Sequence, residues 1–174
     1  MKYHSMILIL AVAFLGGCGQ DPFVTAAKKQ HAEFVGSEPN PANVAGAYVL
    51  SDQTLVPGGI AALGGRQCQL DVYPNGGFSI TNYPHSSGGT FNSFISTTGT
   101  WQLASVGTSY GYGPDPKECW GFRFSGSDKR VDPTAFTGPE QPYGLLTIFG
   151  DPDSNLTLHF KKKEHTTTES TPTK

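Results

Sequence analysis

The feature that most constrains this chain is a period-two alternation that breaks at an Asn-Gly pair and then resumes. Cys68, Leu70 and Val72 alternate with Gln67, Gln69, Asp71 and Tyr73, as a strand with one buried face requires, because successive side chains point to opposite faces of a sheet. Pro74-Asn75-Gly76-Gly77 follows, and Asn-Gly supplies the positive φ angles that a tight hairpin turn needs. Over residues 78–83 the alternation returns, with Phe78 and Ile80 on one side and Ser79 and Thr81 on the other. A hairpin of this kind fixes antiparallel pairing and leaves an apolar face that other strands must cover.

The same pattern places further strands at residues 46–51, 99–104, 119–125, 143–149 and 155–161, about seven in all. Within them Trp101 and Leu103 share a face, as do Trp120, Phe122 and Phe124, and Leu156, Leu158 and Phe160. With 22 Gly, 13 Pro and only 15% charged residues, short strands joined by turns are favoured over a helical bundle. The expected fold is all-β, a small antiparallel β-barrel with a β-sandwich as the alternative, formed by residues 44–163 as one domain. Long loops are expected over residues 106–118 and 125–142. Residues 18–43, which hold Pro22, Pro39 and Pro41, read as a flexible tether, and the Thr-rich residues 164–174 as a disordered tail.

At the N-terminus, Lys2 precedes an apolar run from Met6 to Leu15. That run is too short to span a bilayer, which takes roughly 20 apolar residues, but suits a signal-peptide core. It leads into Leu15-Gly16-Gly17-Cys18, which resembles the bacterial lipobox. The resemblance implies that residues 1–17 are a lipoprotein signal peptide and that Cys18 receives lipid, anchoring the chain to a membrane in the cell envelope. Gly19 rather than aspartate follows the cysteine, so in a host with two membranes the expected address is the outer one, facing periplasm or cell surface. Lipidation at Cys18 leaves Cys68 and Cys119 as an even pair in an exported chain, where a Cys68–Cys119 disulfide is expected ahead of two buried free thiols or a metal site.

Gly46-Ala47-Tyr48-Val49-Leu50 after a Pro-rich lead, a strand entering a Gly-Phe hairpin (Leu70 to Phe78), and a later Gly99-Thr100-Trp101 are together similar to lipocalin-like, calycin-type barrels. This resemblance favours the barrel over the sandwich and implies carriage of a small apolar ligand as one function.

Chemistry leaves little trace. There is no Gly-x-Ser-x-Gly elbow, no Gly-rich phosphate loop and no His-Glu-x-x-His. Of the 5 histidines, His4 falls in the signal, His31 and His165 in the tails, His159 on the outer face of the last strand and His85 in a loop. No catalytic residue, metal ligand or cofactor is expected. A net charge of −2 without a basic stripe argues against nucleic acid, whose phosphates call for clustered Lys and Arg. The aromatic loop around Tyr110 and Tyr112 has the composition of recognition surfaces. The expected role is a membrane-anchored, non-catalytic binding module for an envelope protein. The alternatives are a carrier of a small apolar ligand and an inhibitor of a lytic enzyme such as lysozyme.

Overall fold

The computed structural model describes residues 34–87, 90–109, 116–149 and 156–163. They form a closed antiparallel barrel in which β1 (Gly46–Gln53), β2 (Gln69–Val72), β3 (Gly77–Ser87), β4 (Thr90–Ser109), β5 (Lys117–Ser125), β6 (Thr134–Thr137), β7 (Gly144–Ile148) and β8 (Thr157–Lys162) pair in sequence order. The barrel closes by pairing β1 with β8, from Tyr48 opposite Lys162 to Gln53 opposite Leu158. Closure removes the open sheet edges that a sandwich would leave.

The β2–β3 hairpin falls where the alternation puts it. Leu70 stands opposite Ile80 and Val72 opposite Phe78, and each of the four is at most 2% exposed. The turn differs in detail from a two-residue one. Tyr73 N–H donates to Gly77 O at 2.9 Å, so three residues are bracketed. Only Gly76 takes a positive φ, at 86°, while the Asn75 side chain accepts from Gly77 N–H at 3.1 Å.

An up-and-down topology puts alternate connections at opposite ends. The β2–β3, β4–β5 and β6–β7 connections and the start of β1 share the first end; the β1–β2, β3–β4, β5–β6 and β7–β8 connections share the second. A short helix α1 (Pro41–Val44), capped by the Asn40 side chain accepting from Ala42 N–H at 2.9 Å, stops the first end. Val44 is fully buried there, and its carbonyl accepts from the Tyr48 hydroxyl at 2.7 Å. Lys162 crosses the same end, donating to Asn43 O at 2.7 Å with its ammonium 5.7 Å from the centre of the Tyr48 ring.

Three expectations are corrected. First, the stretch expected as a loop over 125–142 contains a strand, β6, whose residues are buried on both faces and so show no alternation. Second, β4 runs from Thr90 to Ser109 rather than over 99–104. Its first half is a hydroxyl-rich arm that pairs with β3 alone and therefore carries little apolar pattern. His85, expected in a loop, lies in β3 opposite Ser93 of that arm. Third, the chain expected to be a flexible tether through residue 43 is already docked at Phe34. The β5–β6 ladder has only two pairs, Gly121 with Ala135 and Phe122 with Thr134, where every other ladder has four or more. Val35 fills the gap beyond them, donating N–H to Phe136 O at 3.2 Å and accepting from Trp120 N–H at 2.9 Å. Where the two strands do touch, Gly121 is obligatory, since a Cβ there would meet Thr134 O and lie 2.8 Å from Ala135 Cα. The ends of the chain expected as signal and disordered tail lie outside the described residues.

Candidate functional site

Three places on such a barrel can hold a partner: the interior, the outer wall and the loops at the ends. The interior is occupied by its own side chains. Phe122 packs against Phe136 (ring centroids 4.7 Å apart), Trp101 (5.2 Å) and Tyr48 (6.2 Å), and Phe78 against Phe124 at 4.7 Å. Tyr48, Phe122 and Phe136 have no accessible surface and Phe78 only 1%. A ligand chamber standing ready would leave its lining accessible, and these residues line none.

Toward the second end the interior turns polar. Thr134 and Thr147 share a hydrogen bond of 2.9 Å between their hydroxyls. Near them Tyr83 is 1% exposed, and its hydroxyl makes no close hydrogen bond among the described residues, with the Asp132 backbone and the Thr147 hydroxyl nearby. Burial, with the charge of Asp132 adding to it, holds that phenol well above its ordinary range. Cys68 is also buried here, and desolvation raises its thiol from 9.0 to about 12.

The expected Cys68–Cys119 disulfide is not formed: both cysteines are free. The reason is the barrel wall. Cys68 faces the interior cluster with Leu70, Ile80 and Tyr83, whereas Cys119 belongs to a separate cluster of Phe34, Ala135 and Leu146. Leu146 alternates with the inward-facing Leu145 and Thr147, so this second cluster lies on the outside, under Phe34. Burial raises the Cys119 thiol as well.

At the second end the β1–β2 connection folds over the barrel mouth. A 3₁₀ helix, Gly59–Leu63, is flanked by Gly58 and Gly59 at one side and Gly64 and Gly65 at the other, all with positive φ between 63° and 98°. Any other residue would be strained at these four positions. Leu55 and Leu63 plug the mouth at 7% and 3% exposure. Gln53, 3% exposed, ties the connection down: its amide nitrogen donates to Val56 O at 3.1 Å and Gly59 O at 2.6 Å, and its amide oxygen accepts from Val56 N–H at 3.0 Å. Beyond it the Arg66 guanidinium stacks 5.0 Å from the Phe94 ring of the β4 arm. The β5–β6 connection joins the arm through the Thr97 hydroxyl, which donates to Asp128 at 2.6 Å and, as the main cause, lowers the carboxyl of Asp128.

On the outer wall, His159 meets Thr157 at 3.2 Å, and the Thr157 and Thr54 hydroxyls lie 3.1 Å apart. Thr157 is 4% exposed and its amide donates to Thr54 at 2.8 Å, so this hydroxyl chain fastens the start of β8 to the end of β1. Among the described residues, no three His, Cys, Asp or Glu side chains gather where they could hold a metal ion. No helix among them is long and apolar enough to cross a membrane.

Of the sequence-derived site residues, Cys18, Tyr110 and Tyr112 lie outside the described residues. Gln53 and Tyr83 escaped the sequence reading, since nothing local marks a buried amide or a buried phenol. The strand that carries the arm, β4, does leave a signal, twenty residues without one Asp, Glu, Lys or Arg. No known protein family, curated protein or solved structure matches the chain.

Proposed function

We propose that this chain is an exported lipoprotein, lipidated on Cys18, whose barrel is a non-catalytic binding module displayed in the cell envelope. The filled interior carries the reading. With Tyr48, Phe122 and Phe136 inaccessible and packed ring to ring, recognition falls to the outside of the barrel and to its end loops, and the partner is an envelope protein rather than a small molecule enclosed in the barrel. The anchor rests on the order of Lys2, the apolar run and Leu15-Gly16-Gly17-Cys18, and the outer-membrane address on Gly19. Tyr110 and Tyr112 supply the aromatic contact area that recognition surfaces favour.

The test pairs fractionation with capture. Cys18→Ala should abolish lipid attachment and move the protein out of the membrane fraction. Pull-down with the wild-type chain should enrich an envelope protein that a Tyr110→Ala, Tyr112→Ala chain no longer retains. A Cys18→Ala chain that still partitions with membranes after signal removal would sink the anchor. Retention unchanged by the tyrosine replacements would sink the assignment of the loop.

A further inference from the structure

Closing a sheet into a barrel abolishes its edges, and here the closure is incomplete in one place. β3 continues past the end of its ladder with β2, which stops at Thr81, and β4 starts well before its ladder with β5, which begins at Thr100. Between these limits the two strands form an arm paired only to itself, through Tyr83 with Ile95, His85 with Ser93 and Ser86 with Phe91. The arm recreates two edges. That of β3 is blunted, because Pro84 has no N–H to offer and Asn82 donates its side-chain amide to Gln67 O at 3.1 Å. That of β4 is covered at Thr97 by Asp128, 2.6 Å away. Over residues 90–96 no strand among the described residues pairs with it.

Natural proteins guard such an edge with lysine, proline or inward charge. β4 has none of these from Thr90 to Ser109. Its one guard is a bulge that leaves Asn92 as an extra residue between the Ser93 and Phe91 pairings, and this adds twist but no charge. Thr90, Asn92, Ser93 and Ser96 are exposed along the arm, while Phe91, Phe94 and Ile95 pack partly against the core.

We infer that the free edge of β4 over residues 90–96 is a strand-addition interface whose occupant is the same edge of a second copy, paired antiparallel about a twofold axis. Self-pairing is what an uncharged strand permits, since across a twofold at Ser93 a charge at or beside the axis would lie close to its own copy in the partner. With the axis at Ser93, Phe91 faces Ile95 and Thr90 faces Ser96 of the partner copy, an aromatic–aliphatic pair and a hydroxyl pair of the sort that stabilises sheets. A strand edge alone buries less than the roughly 1,200 Å² of a stable interface. The pair is therefore weak in dilute solution and populated where copies are crowded together. The inference does not depend on the lipid anchor or on the Tyr110 loop.

The experiment uses the full chain in the membranes or secretions of its host. Ser93→Cys puts a thiol on the axis, while Thr81→Cys puts one on the exposed outer face of β3 as a control for random collision. Cys68 and Cys119 are buried, and Cys18 is common to both variants, so any background from it is the same in the test and the control. Under a mild oxidant, Ser93→Cys should form disulfide-linked dimer at least about tenfold faster than Thr81→Cys, because the pairing raises the local thiol concentration. Adding Asn92→Lys, also at an exposed position, should reduce that rate to the control level. A Ser93→Cys thiol that reacts with a maleimide yet cross-links no faster than Thr81→Cys overturns the proposal. So does cross-linking indifferent to Asn92→Lys.

Discussion

Tyr83 brings into the barrel a hydroxyl that makes no close hydrogen bond among the described residues, although the Asp132 backbone and the Thr147 hydroxyl stand near it. A buried donor without a partner costs about 1–3 kcal/mol, and removing it while keeping the ring returns that cost. Tyr83→Phe should therefore leave the protein as stable as before or about 1 kcal/mol more stable in urea denaturation, because the ring contact with Phe149 at 6.2 Å survives. Destabilisation by more than about 1 kcal/mol would mean that the phenol is paired, by the Asp132 backbone, Thr147 or a water, and that the site is satisfied. Residues of this kind are invisible in sequence, since burial of an oxygen depends on strands far apart in the chain. The cysteines show the same limit from the other side. Parity and an exported address favour a bridge, but parity does not tell which face of a wall a thiol is on: Cys68 points in and Cys119 out.

Among the elements, legibility followed the pattern of burial. β2 and β3 are readable because one face is buried and the other wet; β6 is not, because Ala135 lies beneath Phe34 while Phe136 faces the core, so both sides are buried and no wet face marks a period. The Phe34–Val35 lead reads as tether in the sequence because a two-residue wedge has no period. It nevertheless completes the shortest seam of the barrel, and it also covers Cys119. Val35→Pro would delete the N–H that Phe136 O accepts and should loosen the wedge at a cost of about 1–3 kcal/mol. The diagnostic reading is local. Maleimide labelling of Cys119 in the native protein should accelerate while Cys68, inside the barrel, stays protected. Equal protection of both thiols in Val35→Pro would show that Phe34 is not what covers Cys119.

For the whole molecule, closing eight strands on a core of inaccessible rings has a consequence in pH that no single strand would have. Burial raises the Cys68 thiol from 9.0 to about 12 and lifts the phenols of Tyr48 and Tyr83 above their ordinary 10.0. Below pH 9 the folded and unfolded chains hold the same protons at these groups, and the stability that burial of the neutral forms provides is intact. As pH rises the unfolded chain gives up the Cys68 proton first and the phenolic protons next, while the folded chain keeps them. The unfolded state then binds fewer protons, so stability falls, by up to about 1.4 kcal/mol per pH unit for each group. Denaturation midpoints should hold near neutrality, begin to drop above pH 9 and steepen above pH 10. Cys119, raised in the same direction, contributes to the first part of the fall. Replacing Cys68 by Ala should lower the baseline by leaving a small void, yet flatten the decline between pH 9 and 10, and the two effects separate because one is a level and the other a slope. An unchanged slope in Cys68→Ala would show that the thiol is not shielded by the folded barrel and that water reaches the interior at its second end.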